Sequence, residues 1–394
     1  MSSRHPRRRA VPATILLAAL TLLAASCSDA EESGGGDAAA AQSAGPTAAN
    51  AAAGVVEAEK IIAEYRNPPA WQGPEAPVDV GKLAGKKVTY ISVSNSIPVL
   101  KYWSEAVTRL LRQHGGVQLN VVDAKGSVDE ANKGFDQAIA RQADAIVFQA
   151  LPPSLFQAKI ARAKAAGIKV ISANTGVPGK VDAGQDAEVS FDYVRVGQLI
   201  GAWMVADSKG KGKGLVVSSD DVPASQPQAQ ATVNEVKRLC PGCDVTVKDV
   251  QIPQWEASIP SLFQTTINSD PTRTYLLPLY DGQALPGLGA IRTAGAGSKV
   301  KVGAFNATPG IAEQLKDAAS GLKLDIGGHN EWWGYACADQ IFRVLAGAAP
   351  IENYHVGLRI FDTTNADLIK GKDEFAWYGS SDYRTRFPAL WKQN

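Results

Sequence analysis

The stretch Asp144–Thr175, DAIVFQALPPSLFQAKIARAKAAGIKVISANT, constrains the fold of this 394-residue chain more than any other. It reads strand, helix, strand: an apolar run Ala145–Phe148, a Pro-Pro-Ser turn, a helix closed by Gly167, then Ile168–Ser172. Both strands are continuous apolar runs, the pattern of a parallel sheet covered on both faces. Parallel neighbours need a crossover, which is nearly always right-handed. The unit therefore delivers Gln149–Pro153 and Ala173–Gly176 to the carboxyl edge of a sheet, where open α/β folds bind ligands. Asn174 and Thr175, polar at the end of a buried strand, are the first candidate ligand contacts.

The same unit recurs along the chain. Strands are expected near Val88–Val93, Val117–Val122, Ala145–Phe148 and Ile168–Ser172, then near Leu215–Ser218, Val245–Val250, Tyr275–Leu279, Val300–Phe305 and Leu324–Ile326. Helical stripes separate them, among them Leu100, Trp103, Val107, Leu110 and Leu111, and a capping box of Ser127 with Glu130 opens another helix. A helix from Tyr193 to Met204 lies between the two arrays. Two runs of βα units predict an α/β protein of two doubly wound parallel-sheet lobes, with a small molecule held between facing carboxyl edges.

The N-terminus carries Arg4, Arg7, Arg8 and Arg9, an apolar run Val11–Leu23 and small residues before Cys27. The run is too short for a permanent span and fits an export signal over residues 1–26. Leu23-Ala24-Ala25-Ser26-Cys27 resembles a bacterial lipoprotein signal, which implies a lipid on Cys27; ordinary cleavage near Ser26 or Ser28 is the other reading. Residues 27–85 read as a tether and lead-in: Ser28–Ala53 is Ala, Gly and Ser with scattered acids and cannot bury a core, and a short helix Gly54–Arg66 ends at Asn67-Pro68-Pro69. The formal charge is +1, and without the leader's arginines it is near −3, which offers no basic patch for nucleic acid. Outside the cytosol, Cys240 and Cys243 in Leu-Cys-Pro-Gly-Cys-Asp are expected to form a local disulfide, since a redox-active CxxC opens a helix instead of closing one.

Several motifs together resemble the type I periplasmic binding proteins, the ribose- and galactose-binding solute receptors of ABC importers. They are the Asp144–Thr175 unit, Val189-Ser190-Phe191-Asp192-Tyr193 with Gly197, Tyr280-Asp281-Gly282-Gln283-Ala284, and Val302-Gly303-Ala304-Phe305-Asn306. The resemblance spans Lys86 to about Asn365. It implies a three-crossing hinge near Ser190, Asn330 and Pro350, an N-terminal lobe of 86–189 plus 331–349 and a C-terminal lobe of 190–330 plus 350–394. It implies an exported, extracytoplasmic receptor, lipid-anchored and monomeric, that uses no cofactor, closes on a solute and presents it to a membrane permease. A sugar or polyol comes first as ligand; a nucleoside, an autoinducer-like furanose or an aromatic catabolite follows. Signalling to a membrane kinase or chemoreceptor is the alternative output.

Carried across residue by residue, Asp281 stands where the family's second lobe accepts hydroxyl protons, Asn306 replaces an Asp, His329 or Asn330 lies where a Gln is common, and Trp255 matches a stacking aromatic. The family's Asp-Arg pair is here Asn174-Thr175. Several candidates also fit structural roles. Trp103 belongs to the core stripe of its helix, and Asp281 could cap the helix that follows. Asn95 either turns the chain or touches ligand. Trp332 is freer than Trp333 for the cleft or hinge, and Gln226 follows a strand in a Pro-flanked loop. Gly210-Lys211-Gly212-Lys213-Gly214 precedes a strand, whereas phosphate loops open a helix. The four His are scattered, no catalytic triad or metal set stands out, and an export signal occupies the place of a DNA-binding helix.

Overall fold

The parallel runs pair as two separate sheets in the computed structural model, which describes residues 48–371, 373–379 and 381–392. The first sheet runs in the spatial order Gln118–Asp123, Lys87–Ser92, Ala145–Gln149, Lys169–Ala173, Ala187–Val189, all parallel. Every residue of Ala145–Gln149 is buried, because helices cover both faces. Phe148 packs with Phe135 of the helix Val128–Ala140, and on the other side Trp103 of the helix Pro98–Gly115 meets Trp333 of the helix Asn330–Ala346 at 4.7 Å between ring centres. Gly167, at φ 76°, takes the left-handed turn that ends its helix, a conformation costly for residues with a Cβ.

The second sheet is ordered Leu358–Asp362, Leu322–Gly328, Lys301–Phe305, Tyr275–Pro278, Lys213–Ser218, Asp244–Asp249. Only Leu358–Asp362, a strand the apolar pattern did not announce, runs antiparallel to its neighbour. The helices Tyr193–Asp207 and Ser225–Leu239 pack together beside it, as do Trp255–Ser269 and Asp281–Thr293. In each sheet the first strand is internal, so the chain order reverses around it and leaves a crevice at the carboxyl edge. Cys240 and Cys243 are bonded at the turn after Ser225–Leu239.

The two ends depart from the sequence expectation. The N-terminal helix begins at Ala48 and runs to Tyr65, within a stretch read as tether up to Ala53. It docks on the helices Tyr193–Asp207 and Ser225–Leu239, burying Ala58 and Ile62, with Glu57 paired to Arg238 and Glu59 to Lys209. Docking of a few apolar side chains supplies what local composition cannot. The lead-in then crosses to the other lobe, where Trp71 stacks on Trp332 at 5.1 Å and Val78–Asp79 pairs with Trp391–Lys392. The C-terminal helix Tyr383–Leu390 packs on the same helix Asn330–Ala346, through Tyr383 and Phe387 against Tyr335. The stretch 350–394, read as wholly in the C-terminal lobe, is thus divided: Leu358–Asp362 lies in the second sheet and residues 383–392 sit on the first lobe's helix. Aromatic side chains of the tail find their partners there, a pairing no local period encodes. The expected signal segment 1–26 and Cys27 lie outside the described residues.

Candidate functional site

The carboxyl ends of both sheets meet around one cavity. The first lobe contributes Val93 and Ile97 beyond Lys87–Ser92, Ala150 beyond Ala145–Gln149, Asn174 beyond Lys169–Ala173, and Trp103 one turn into its helix. The second contributes Val222, Ile252, Trp255, Tyr280 and Asn306, each just beyond a strand, and Tyr193 opens the helix after the first crossing. The lobes are drawn together: the cavity measures about 30 Å³, against the roughly 10–15 Å³ that a single water needs. A Cβ placed on Gly282 of the second lobe would stand 3.3 Å from Ile97 Cγ2 of the first, and one on Gly126 would stand 3.4 Å from Pro253 Cγ. Glycine at these two contacts lets the lobes approach.

Asn174 is 2% exposed, and neither atom of its carboxamide has a hydrogen-bond partner. Its backbone, at φ 54°, is fixed by its own N–H donating to the Val189 carbonyl at 2.8 Å. The two tryptophans present carbon surface only. Trp103 Nε1–H donates to Asn330 Oδ1 at 2.9 Å, and Trp255 Nε1–H donates to Ser219 Oγ at 2.8 Å and to the Val250 carbonyl at 3.0 Å.

Asn306 is held in an unusual conformation, φ 126°, followed by Ala307 at 45°. Such backbone costs on the order of 1–3 kcal/mol and persists only where surroundings enforce it. Here the Ala307 N–H donates to Asp325 at 3.0 Å and the Thr308 N–H to Asp281 at 2.6 Å. Asn306 Nδ2 lies 3.5 Å from Asp281, Asn330 Nδ2–H donates to the Asn306 carbonyl at 2.8 Å, and Asn306 Oδ1 is buried without a partner. Burial pushes the Asp281 carboxyl up to about 6, against the opposing hydrogen bonds from Thr308 and Asn306. Asp325 is raised as well, by burial first and then by the neighbouring Asp281 charge.

Of the sequence candidates, Trp103, Asn174, Trp255 and Asn306 line one cavity. The others stand elsewhere. Asp281 is fully buried beneath the loop at Thr308, because the strained backbone claims its oxygens, so it braces Asn306 instead of facing the cleft. Asn330 bridges Trp103, Asn306 and Glu374 from behind the lining. Trp332 is buried under Trp71 at the hinge, covered by the lead-in. Gln226 is exposed, since the helix already starts at Ser225 and turns Gln228 inward in its place. Asn95 is half-buried, with its backbone N–H on Asp123, and Thr175 is buried without lining the cavity. Trp255 opens the helix Trp255–Ser269. Sequence reasoning missed Tyr193, Tyr280, Val222 and Ile252; Tyr280 was signalled by position, since it directly precedes Asp281 at a strand end. Among the described residues no cluster of His, Cys, Asp and Glu could hold a metal ion, and no helix is long and apolar enough to cross a membrane.

Residues 88–349 match the model of a periplasmic binding protein domain. No curated protein matches the sequence. Among solved structures, the chain is similar to a 5-methylthioribose transporter solute-binding protein from Thermotoga lettingae, in complex with 5-methylthioribose, at TM-score 0.70 and 18% identity, over 81% of this chain and 100% of that one. It is similar to an ABC transporter solute-binding protein from Agrobacterium vitis with bound allitol, at 0.65 and 18%, over 73% and 98%. A counterpart from Mycobacterium smegmatis with bound glycerol gives 0.64 and 18%, over 73% and 97%.

Proposed function

The chain belongs to the periplasmic binding protein domain family, and from that premise we propose that it is the solute receptor of an ABC importer, closing two lobes on one small neutral molecule. The observation that carries this reading is a cavity built from the carboxyl edges of both sheets, with the unpartnered Asn174 carboxamide in one lobe and Asn306 Oδ1 in the other. Closure around a ligand follows from a higher affinity of the closed than of the open form. Micromolar capture corresponds to about −8 kcal/mol. Asn174 and Asn306 supply hydrogen bonds; Trp103 and Trp255 supply contact area.

The solutes bound in the similar structures, a thiopentose, a hexitol and glycerol, support starting with sugars and polyols. The basic and apolar leader ending at Cys27 supports export and a lipid anchor, with the helix Ala48–Tyr65 joining the anchor to the second lobe. The partner is an ABC permease and the receptor works as a monomer. A thermal-shift and tryptophan-fluorescence screen of neutral solutes tests the reading. At least one compound binds at micromolar affinity or better, and Trp103→Ala and Trp255→Ala each weaken it tenfold or more with the fold intact. Undiminished binding in both variants would remove the site from this cavity.

A further inference from the structure

Two walls of the cleft, Trp103 in the first lobe and Asn306 in the second, are joined by Asn330, which lies behind the lining. Asn330 Oδ1 accepts from Trp103 Nε1–H at 2.9 Å. Its Nδ2 donates to the Asn306 carbonyl at 2.8 Å and to Glu374 Oε2 at 3.1 Å, which uses both of the hydrogens a carboxamide offers. A flipped amide would set its oxygen against the Asn306 carbonyl and the Glu374 carboxylate, and its nitrogen against the indole N–H. Of these partners Glu374 is the charged one, so it biases the orientation most.

Glu374 is 1% exposed and comes from the tail, beyond the residues 88–349 that match the family domain. Its other oxygen accepts the Glu331 N–H at the start of the helix Asn330–Ala346, where the helix dipole favours negative charge. His329 Nδ1 stands 3.5 Å from the same oxygen. The segment around Glu374 is pinned on both sides. Asp373 pairs with Arg384 at 2.6 Å, Tyr378 stacks on His329 at 3.9 Å, and the Tyr383 hydroxyl donates to Glu331 Oε2 at 2.6 Å.

We infer that Glu374 is a positioning residue for the cleft: it fixes the Asn330 carboxamide in the orientation that holds the Trp103 wall and the Asn306 loop together. This rests on the receptor reading, since it takes the cavity to be where solute binds, and it deepens that reading by giving a tail residue outside the lining control of both walls. Asn306 sits at φ 126°, a backbone that its neighbours must enforce, and the bond from Asn330 is one of the restraints. Trp103 keeps its carbon face to the cavity while its buried N–H has Asn330 to donate to. Removing the Glu374 carboxylate leaves an Asn330 hydrogen and the Glu331 N–H without their acceptor. The amide then tilts or turns to find another partner, and the indole and the Asn306 loop follow it.

Nitrogen–proton correlation spectra of the purified protein, with the indole signals assigned by Trp103→Phe and Trp255→Phe, test this without a ligand. Both indole N–H groups are buried and bonded, that of Trp103 through Asn330 and that of Trp255 to Ser219 and Val250, so Trp255 is the reference. In Glu374→Ala the Trp103 indole N–H should shift and exchange with solvent at least about tenfold faster, while the Trp255 rate stays within about twofold of wild type. Glu374→Gln, which keeps one of the two acceptors, should fall between. If Glu374→Ala does not fold, Glu374→Gln decides by the same two signals. An unchanged Trp103 signal overturns the inference. Equal acceleration at both indoles, or loss of the folded state in both variants, overturns it too, because Glu374 would then serve stability alone. A failed neutral-solute screen would strike the receptor reading and leave these signals as they are.

Discussion

Gly282→Val acts on lobe closure without touching the ligand. Gly282 lies in the first turn of Asp281–Thr293, on the second lobe, and faces Ile97 and Pro98 of the first. A Cβ there would stand 3.3 Å from Ile97 Cγ2 and 3.8 Å from Pro98 Cδ, so the first added carbon already crowds the contact. Valine adds two further methyl groups, at least one of which must enter space held by the other lobe when the cleft is shut. Overpacking of this kind costs about 1–3 kcal/mol. The open form escapes the cost, because the lobes separate there. The closed form bears all of it, which corresponds to roughly 5- to 150-fold in ligand affinity. Folding stability should not fall in parallel, since valine in place of a helical glycine gains roughly a few tenths of a kcal/mol of helix propensity. Gly289→Val on the same helix is the control, because a Cβ there meets nothing within 4 Å. Small-angle X-ray scattering should show a larger radius of gyration for Gly282→Val than for wild type or the control, and calorimetry should show weaker binding. A variant with wild-type scattering and wild-type affinity would refute the proposal that these lobes must meet at Gly282 and Ile97 for capture.

Three further outcomes are expected. Burial holds the Asp281 carboxyl up at about 6 in the folded protein, so its contribution to stability is fully present below the ordinary carboxylate range and is lost as pH rises through about 6. Thermal unfolding between pH 4 and 7 should therefore show a flatter pH dependence in Asp281→Asn than in wild type, and parallel curves would contradict the assignment. Asn330→Ala leaves Trp103 Nε1–H and the Asn306 carbonyl unpaired and should destabilise by about 1–3 kcal/mol in denaturant titration, with weakened ligand binding that Asn330→Asp partly restores at low pH. Breaking the Cys240–Cys243 bond, which closes a loop with sequence separation 3, should cost no more than about 2 kcal/mol; loss of the folded state in Cys240→Ser with Cys243→Ser would show a larger role.

The regions of apolar periodicity carried the fold. Ala145–Phe148, Ile168–Ser172 and their counterparts were legible as buried parallel strands because a strand covered on both faces must be apolar throughout, a property of the local chain. Position relative to a strand end then led to Asn174, Trp255 and Asn306. Leu358–Asp362 was not legible, being short, mixed and dependent on Leu322–Gly328 for its pairing. Nor were the outer ends of the chain. The docking of Ala48–Tyr65, the stacking of Trp71 on Trp332 and the return of Trp391 to Val78–Asp79 join residues hundreds of positions apart.

The sequence by itself determined two βα arrays, their carboxyl edges and a short list of polar and aromatic residues at those edges. Only the tertiary structure decided which of them look into the cleft. Asp281 and Asn330 were as eligible by pattern as Asn174, yet the first braces a strained loop and the second bridges Trp103 to Asn306. A polar side chain buried at a strand end must find a partner, and whether that partner is backbone or ligand depends on segments that reach it from elsewhere in the chain.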